Sequence, residues 1–217
     1  LIGLGFLGNF LYSAFYYAGV RRLSAADACS INYLWPIMAA ICAAVVLHER
    51  IKATEWLAIL LSFSGVVLIS TRGKGLVLED VRGVLLCIAG AVCYGIFNVL
   101  NKKKGLDQIL CTAVYFTVTA FCSLPFLLAT DGITPMSGNA WAGMLWLGLF
   151  IDALATFAWG RALQLSEVGI LSNFAYLTPV VAALLSYVIL GEPIAAYSVI
   201  GMLLVLGGSL LQVIKIR

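Results

Sequence analysis

Charge is scarce in this sequence. Lys, Arg, Asp and Glu make up 11% of its 217 residues, whereas apolar residues make up 63% and the mean hydropathy is +1.06. Soluble domains usually carry about 25% charged and about 45–50% apolar residues. Since a fold in water could not bury so large an apolar share, the composition excludes a soluble domain and predicts a protein of the lipid bilayer. The net charge of +3 does not indicate a nucleic-acid partner, because the lysines and arginines lie at the ends of apolar runs.

Other absences narrow the function. The six cysteines form no CxxC pair and there is a single histidine, so we interpret the cysteines as packing residues and predict no metal and no cofactor. No GxxxxGK[ST] loop is present, so any coupling would be to an ion gradient or to the gradient of the substrate itself. An intramembrane enzyme would need a nucleophile with its base, paired aspartates or a metal cluster within the bilayer. One mid-span aspartate and the peripheral His48 do not supply these, and an enzyme is the weakest alternative.

Apolar stretches about 20 residues long, the length that crosses a bilayer, follow one another along the whole chain. We place them at 1–20, 27–47, 54–71, 83–101, 109–129, 140–160, 169–190 and 195–214. Open strands would leave backbone groups unpaired in lipid, so each stretch is predicted to be a helix. The predicted fold is an all-α polytopic membrane protein with eight transmembrane helices.

One segment of the chain occurs twice. The segment 31–49 returns 143 positions later, so that Tyr33, Pro36 and Glu49 fall on Tyr176, Pro179 and Glu192. An odd number of spans lies between the copies, which would make the second copy cross the membrane in the opposite direction, as in transporters with inverted repeats. We therefore predict an incomplete first repeat of three helices (1–71), a connecting loop (72–82) and a complete second repeat of five helices (83–217). An expected total of ten helices places two more before Leu1.

The distribution of basic residues predicts the orientation. Alternating spans put eight lysines and arginines on one side, including Lys102, Lys103 and Lys104, and five on the other, including Arg21 and Arg22. The richer side is expected to be cytoplasmic, together with the carboxyl terminus, in the inner or plasma membrane.

The repeated motifs resemble those of the drug/metabolite transporter superfamily, in particular its EamA-type permeases. The residues that carry the resemblance are ADACSINYLWP at 26–36, LHERI at 47–51, GRALQLS at 160–166, LTPVVAA at 177–183, GEP at 191–193 and GGS at 207–209. The resemblance implies ten helices in two inverted halves and a transporter of small organic metabolites. The segment Asn-Tyr-Leu-Trp-Pro is similar to the branch that exports amino acids and aromatic metabolites. This chain begins at the position of the third family helix.

Asp152 is the one carboxylate near the centre of a span, about 18 Å from residue 140. Its helical neighbours Gly148, Ala155 and Thr156 are small or polar, so we expect it to face the bundle interior. Intramembrane charges mark ion or substrate paths by default. Asp152 is thus a candidate proton carrier or counter-charge for an amine; the alternative is a protonated carboxyl bonded to a neighbouring helix.

Amides and aromatic rings on several other spans would suit an amphipathic small molecule. The candidate substrate-binding residues are Asn9, Tyr12, Tyr16, Asn32, Tyr33, Trp35, Tyr94, Asn98, Asp152, Trp159, Asn173 and Tyr176. Their alternative role is hydrogen bonding between helices. Pro36 and Pro179 are predicted to kink their helices and are candidates for gating, the alternative being a fixed bend.

Together these patterns predict a secondary transporter that exports amino acids, amines or aromatic compounds by alternating access. A non-transporting scaffold or sensor subunit is the alternative. The expected partners are a small-molecule substrate and the lipid bilayer, with the protein as a monomer or homodimer.

Overall fold

The computed structural model describes residues 1–76, 80–129, 137–191 and 193–213, and every regular element in those ranges is helical. The prediction of an all-α protein is therefore confirmed for this part of the chain. The helices are α1 (2–20), α2 (Ala25–Val46), α3 (Ala53–Ser70), α4 (Val81–Lys104), α5 (Gln108–Ala129), α6 (Gly138–Leu165), α7 (Val168–Leu190) and α8 (Ala196–Val213). Six of them, α2 to α7, are long and apolar enough to cross a membrane. Glu192, the predicted counterpart of Glu49 in the second repeat, lies outside the described residues.

Local sequence signals set the limits of α4, the longest uninterrupted helix. Asp80 caps its start by accepting a hydrogen bond from the Gly83 backbone N–H at 3.0 Å. The helix stops at Gly105, whose φ of 57° is left-handed and favours glycine. Three lysines, 102–104, occupy its last turn, where positive charge complements the helix dipole.

Close glycine contacts fix α1 antiparallel to α4. A Cβ on Gly8 would enter the Phe97 ring, and one on Gly19 would meet the Cys87 sulfur. The start of α1 thus lies beside the end of α4. The bundle consequently has two ends, which we call the Arg22 end (21–24, 70–76 and 80) and the Lys102 end (47–52, 101–108 and 164–168).

Both α2 and α7 are interrupted near the middle. In α2 the break separates Ala25–Asn32 from Trp35–Val46, and in α7 it separates Val168–Phe174 from Leu177–Leu185. Pro36 and Pro179 lie in the first turn after each break, where a missing N–H is tolerated. The breaks lie close together, because the Tyr176 hydroxyl donates to the Tyr33 carbonyl oxygen at 3.1 Å.

Helices α3 and α8 pack closely through glycines. Gly65 lies against the carbonyl oxygen of Gly201, and Gly208 lies against that of Ala58. Fully buried Ile59, Val66, Val205 and Tyr176 form the hydrophobic core on this side of the bundle.

Candidate functional site

A cavity lies in the middle of the bundle between α1, α2, α4, α5, α6 and α7. It consists of two adjoining chambers of about 440 and 460 Å³. Both chambers are lined by Trp35, Tyr94, Asp152, Thr156 and Trp159. We call the two chambers together the central cavity. Its size is that of pockets that hold small organic molecules.

Half of the twelve predicted substrate-binding residues line this cavity. They are Asn9, Tyr12, Trp35, Tyr94, Asp152 and Trp159. The structure places the other six behind the cavity wall or at other helix contacts: Tyr16, Asn32, Tyr33, Asn98, Asn173 and Tyr176. Which of the lining residues bind a substrate stays a prediction.

Asp152 faces the central cavity from a π-helical segment, Leu147–Ala153, within α6. No hydrogen bond or ion pair joins its carboxylate to any residue in the described ranges. The neighbouring Leu147 and Phe150 are 52% and 55% exposed on the outer face of the helix, where lipid would lie. Asn9 also lies in a π-helical segment, Phe6–Leu11 in α1. Such segments widen a helix and are frequent at functional sites, and sequence periodicity had given no sign of them.

Four aromatic side chains form one wall of the cavity, and we call them the ring cluster: Tyr12, Trp35, Tyr94 and Trp159. The Trp35 ring meets Tyr94 at 4.9 Å and Trp159 at 5.6 Å between centroids, both edge to face. Tyr12 lies 4.8 Å from Tyr94. Edge-to-face packing is a favourable geometry for aromatic pairs, so these contacts hold the wall in place.

Asn98 and Asn32 hold the ring cluster from behind. The fully buried Asn98 accepts a hydrogen bond from the Trp159 indole N–H at 2.6 Å and donates to the Tyr94 carbonyl oxygen at 2.8 Å. Asn32 donates to the Tyr12 hydroxyl at 3.1 Å. Both asparagines thus position rings that line the cavity.

Three predicted site residues lie in the contact between α2, α3, α7 and α8. Tyr33 and Tyr176 approach to 6.1 Å between ring centroids, and Tyr176 is fully buried. Asn173 is also fully buried, and neither atom of its amide has a hydrogen-bond partner among the described residues. None of the three lines the central cavity.

At the Lys102 end, a group of polar contacts joins distant parts of the chain. The Lys102 ammonium lies 2.6 Å from the Glu49 carboxylate and donates to the Ser166 carbonyl oxygen at 2.7 Å. The second Glu49 oxygen accepts from the Val168 N–H, at the start of α7, at 3.1 Å. We call these contacts the Glu49–Lys102 group. Glu49 follows the predicted span 27–47 by two residues, but its pairing with Lys102 had no sequence signal.

A buried amide cluster closes the cavity floor next to that group. Asn101, which lines the cavity, accepts hydrogen bonds at its side-chain oxygen from the Tyr115 hydroxyl at 3.1 Å and from the Gln108 amide at 3.4 Å. Asn101, Gln108 and Tyr115 are each exposed by 4% or less. At this end the cavity is sealed by packed side chains.

Toward the Arg22 end, the cavity continues into a vestibule of about 1060 Å³. The vestibule shares Ser13, Tyr17 and Thr119 with the central cavity and reaches Arg22 and Asp80. The site is therefore open toward one end of the bundle and closed at the other.

These features define a helical membrane protein built around a solute-sized cavity that is accessible from one side. The chain belongs to the EamA-like transporter family, whose model matches residues 1–71 and 81–214. Among its relatives are the uncharacterized transporter YyaM of Bacillus subtilis (strain 168), which is 28% identical over 96% of this chain and 71% of its own length. The aromatic amino acid exporter YddG of Ancylobacter novellus is 28% identical over 84% of this chain and 64% of its own length. A probable terminal-alkyne amino-acid exporter of Streptantibioticus cattleyicolor is 26% identical, over 95% and 70%.

The fold also matches a solved crystal structure with a TM-score of 0.88, over 98% of this chain and 76% of that one, at 22% identity. That likeness establishes a shared fold. The chain spans less than two thirds of the length of YddG and about 70% of the two other named relatives.

Proposed function

We propose that this protein is a secondary transporter that exports small organic metabolites, such as amino acids, amines or aromatic compounds, by alternating access. The observation that carries the proposal is the central cavity, lined by polar and aromatic side chains, open toward the Arg22 end and sealed at the Lys102 end. A cavity accessible from one side at a time is what this mechanism requires.

We further propose that the chain crosses the membrane eight times and contains two inverted repeats, at 1–71 and 83–217. Helices α2 and α7 support this, because they run in opposite directions between the two ends and meet where Tyr33 contacts Tyr176. The glycine contacts of α3 and α8 add support. In the repeat, Gly65 corresponds to Gly208 and Gly201 corresponds to Ala58, each pair being 143 positions apart. The contact of Gly65 with Gly201 therefore has a counterpart in the contact of Gly208 with Ala58, which is also observed. A twofold axis in the membrane plane would relate the two contacts.

We place the Lys102 end in the cytoplasm and the protein in the inner or plasma membrane. The three consecutive lysines at that end, 102–104, support the orientation. The central cavity would then open to the outside. Transport would require the Glu49–Lys102 group to separate while the vestibule closes, with the breaks beside Pro36 and Pro179 as the proposed hinges.

A matched pair of tryptophan variants on α6 tests the transport function. Trp159 lines the cavity, whereas Trp141 is 49% exposed on the same helix outside it. Cells that express the protein and are loaded with a panel of amino acids, amines and aromatic compounds are expected to lose at least one compound faster than cells without it. Trp159→Phe should slow that export, because it removes the hydrogen bond to Asn98 and part of the cavity wall, while Trp141→Phe should not. Equal retention of every compound, with the protein present in the membrane, would favour the scaffold or sensor alternative.

A further inference from the structure

The central cavity carries a single charge. Among the described residues that line its two chambers, Asp152 is the only acidic side chain, and none is Lys, Arg or His. A charge at this depth in a bilayer is costly unless something compensates it. No described residue pairs with Asp152, so within the cavity its carboxylate is available to water, to a proton or to a ligand that carries a positive charge.

The ring cluster favours a positively charged ligand over a proton as the partner of Asp152. A proton on Asp152 needs no particular surroundings, whereas three rings of the cluster (Trp35, Tyr94 and Trp159) line both chambers together with the carboxylate. Trp159 lies two turns from Asp152 on α6, a separation of about 10 Å along the helix. Aromatic faces attract apolar groups and cations alike. The cavity thus offers a charged contact at one point and flat apolar contacts up to about 10 Å away.

The positions of the arginines argue against a zwitterionic ligand such as an α-amino acid. Arg21 and Arg22 line the vestibule but neither chamber of the central cavity. In an α-amino acid the ammonium and the carboxylate are attached to the same carbon atom. An ammonium on Asp152 would therefore bring the carboxylate of the amino acid close to the Asp152 carboxylate, with no basic side chain lining the cavity beside it. Repulsion between two like charges that have no positive charge beside them is unfavourable.

We propose that the central cavity binds a monoamine of net charge +1, with its ammonium group at Asp152 and an aromatic or other flat apolar body against Trp35, Tyr94 and Trp159. The identity of this ligand as the transported compound rests on the proposed function, whereas its binding does not. This ligand class differs from the amino acids for which two relatives, YddG and the terminal-alkyne amino-acid exporter, are named.

Three probes that share a phenylethyl body test this assignment by binding to the purified full chain in detergent. They are 2-phenylethylamine, the neutral 2-phenylethanol and the zwitterion phenylalanine, with titration calorimetry as the readout. We expect the amine to bind at least on the order of tenfold more tightly than either of the others, as for one uncompensated charge contact. Asp152→Asn should remove this preference, and Asp152→Glu should keep most of it. Since Asp152 has no partner among the described residues, neither change removes an observed contact.

Asp107→Asn is the matched control. Asp107 lies outside the central cavity, at the start of α5, where its carboxylate accepts two backbone N–H groups, and asparagine is an equally good residue at such a position. This variant should retain the preference for the amine. If it also lost the preference, the effect would not belong to the cavity charge and the assignment would be overturned.

Other results would also overturn the assignment. Equal binding of amine and alcohol, tighter binding of phenylalanine, a preference that survives Asp152→Asn, or no binding of any probe at millimolar concentration would each do so. The proposed function has a separate outcome. Export of a neutral or zwitterionic compound that depends on Trp159 but not on Asp152 would leave the transporter in place and remove the monoamine.

Discussion

Two ion pairs lie at opposite ends of the bundle, and their surroundings differ. They are Glu49–Lys102 at one end and Arg22–Asp80 at the other. The side chains of Lys102 and Glu49 are 21% and 14% exposed and their charged atoms lie 2.6 Å apart, with further hydrogen bonds to Ser166 and Val168. The side chains of Arg22 and Asp80 are 45% and 34% exposed and lie 3.3 Å apart. A partly buried pair with additional partners is costly to break, whereas an exposed pair contributes little.

This difference indicates where the described conformation is stabilised. At the Lys102 end, opening would separate two charged side chains that are largely buried. The buried amide cluster of Asn101, Gln108 and Tyr115 lies next to them. At the Arg22 end, a vestibule already reaches the exposed pair. We infer that the free-energy barrier to the opposite conformation lies mainly in the Glu49–Lys102 group.

The largest effect should come from Lys102→Met. This change leaves the Glu49 carboxylate partly buried without its cation. Breaking a fully buried pair costs about 3–5 kcal/mol, and for this partly exposed one we expect the free energy of unfolding to fall by about 2–3 kcal/mol. Denaturant titration in detergent micelles measures the loss. The bundle should also open more readily at this end, so buried Cys111 should react faster with a maleimide when it is the only cysteine retained.

The double variant Glu49→Gln/Lys102→Met is the control for this prediction. Removing both charges leaves no unpaired ion, so it should be more stable than Lys102→Met alone. A double variant less stable than the single one by the full cost of Glu49→Gln would show that the two side chains act independently.

The next effect compares one chemical change at two places. Tyr115→Phe removes the hydroxyl that donates to Asn101 in the buried floor of the cavity, and should lower the free energy of unfolding by about 1 kcal/mol. Tyr12→Phe removes the acceptor of the Asn32 amide at the cavity wall. Its cost should be smaller, because the cavity is open to solvent, but it should change ligand affinity more than Tyr115→Phe does. Thermal unfolding and ligand titration of both variants measure the contrast, and equal stability losses would contradict it.

The sequence predicts the outline of this fold well, because lipid imposes a simple rule. Apolar runs of helical length predicted α4 at 83–101 and α7 at 169–190, against Val81–Lys104 and Val168–Leu190 in the structure. For α4 the differences lie at its two ends, where capping by Asp80 and the lysine-rich last turn extend the helix beyond its apolar part. Composition does not report such polar extensions.

The site was less predictable, because helical periodicity does not say which neighbouring helix a face meets. Asp152 was predicted to face the bundle interior beside Thr156, and both residues line the central cavity. Asn98 and Asn173 have the same residue type as Asn9, but they are buried behind the wall and at another helix contact. The pairing of Glu49 with Lys102 joins residues 53 positions apart, and only the packing of α2 against α4 brings them together.

The smallest effect should come from Asp80→Asn at the Arg22 end. The backbone N–H of Gly83, and then the Arg22 guanidinium, hold the pKa of the Asp80 carboxyl below its usual value. A lowered pKa in the folded state means that this carboxylate contributes stability above the ordinary carboxyl pKa and loses it as the pH falls through the lowered value. The difference in unfolding midpoint between the wild type and Asp80→Asn should therefore shrink as the pH is lowered from about 6 to about 3. It should also shrink with added salt, because the pair is exposed. A loss at neutral pH as large as that of Lys102→Met would contradict the difference between the two ends, and would place the resistance to opening at both.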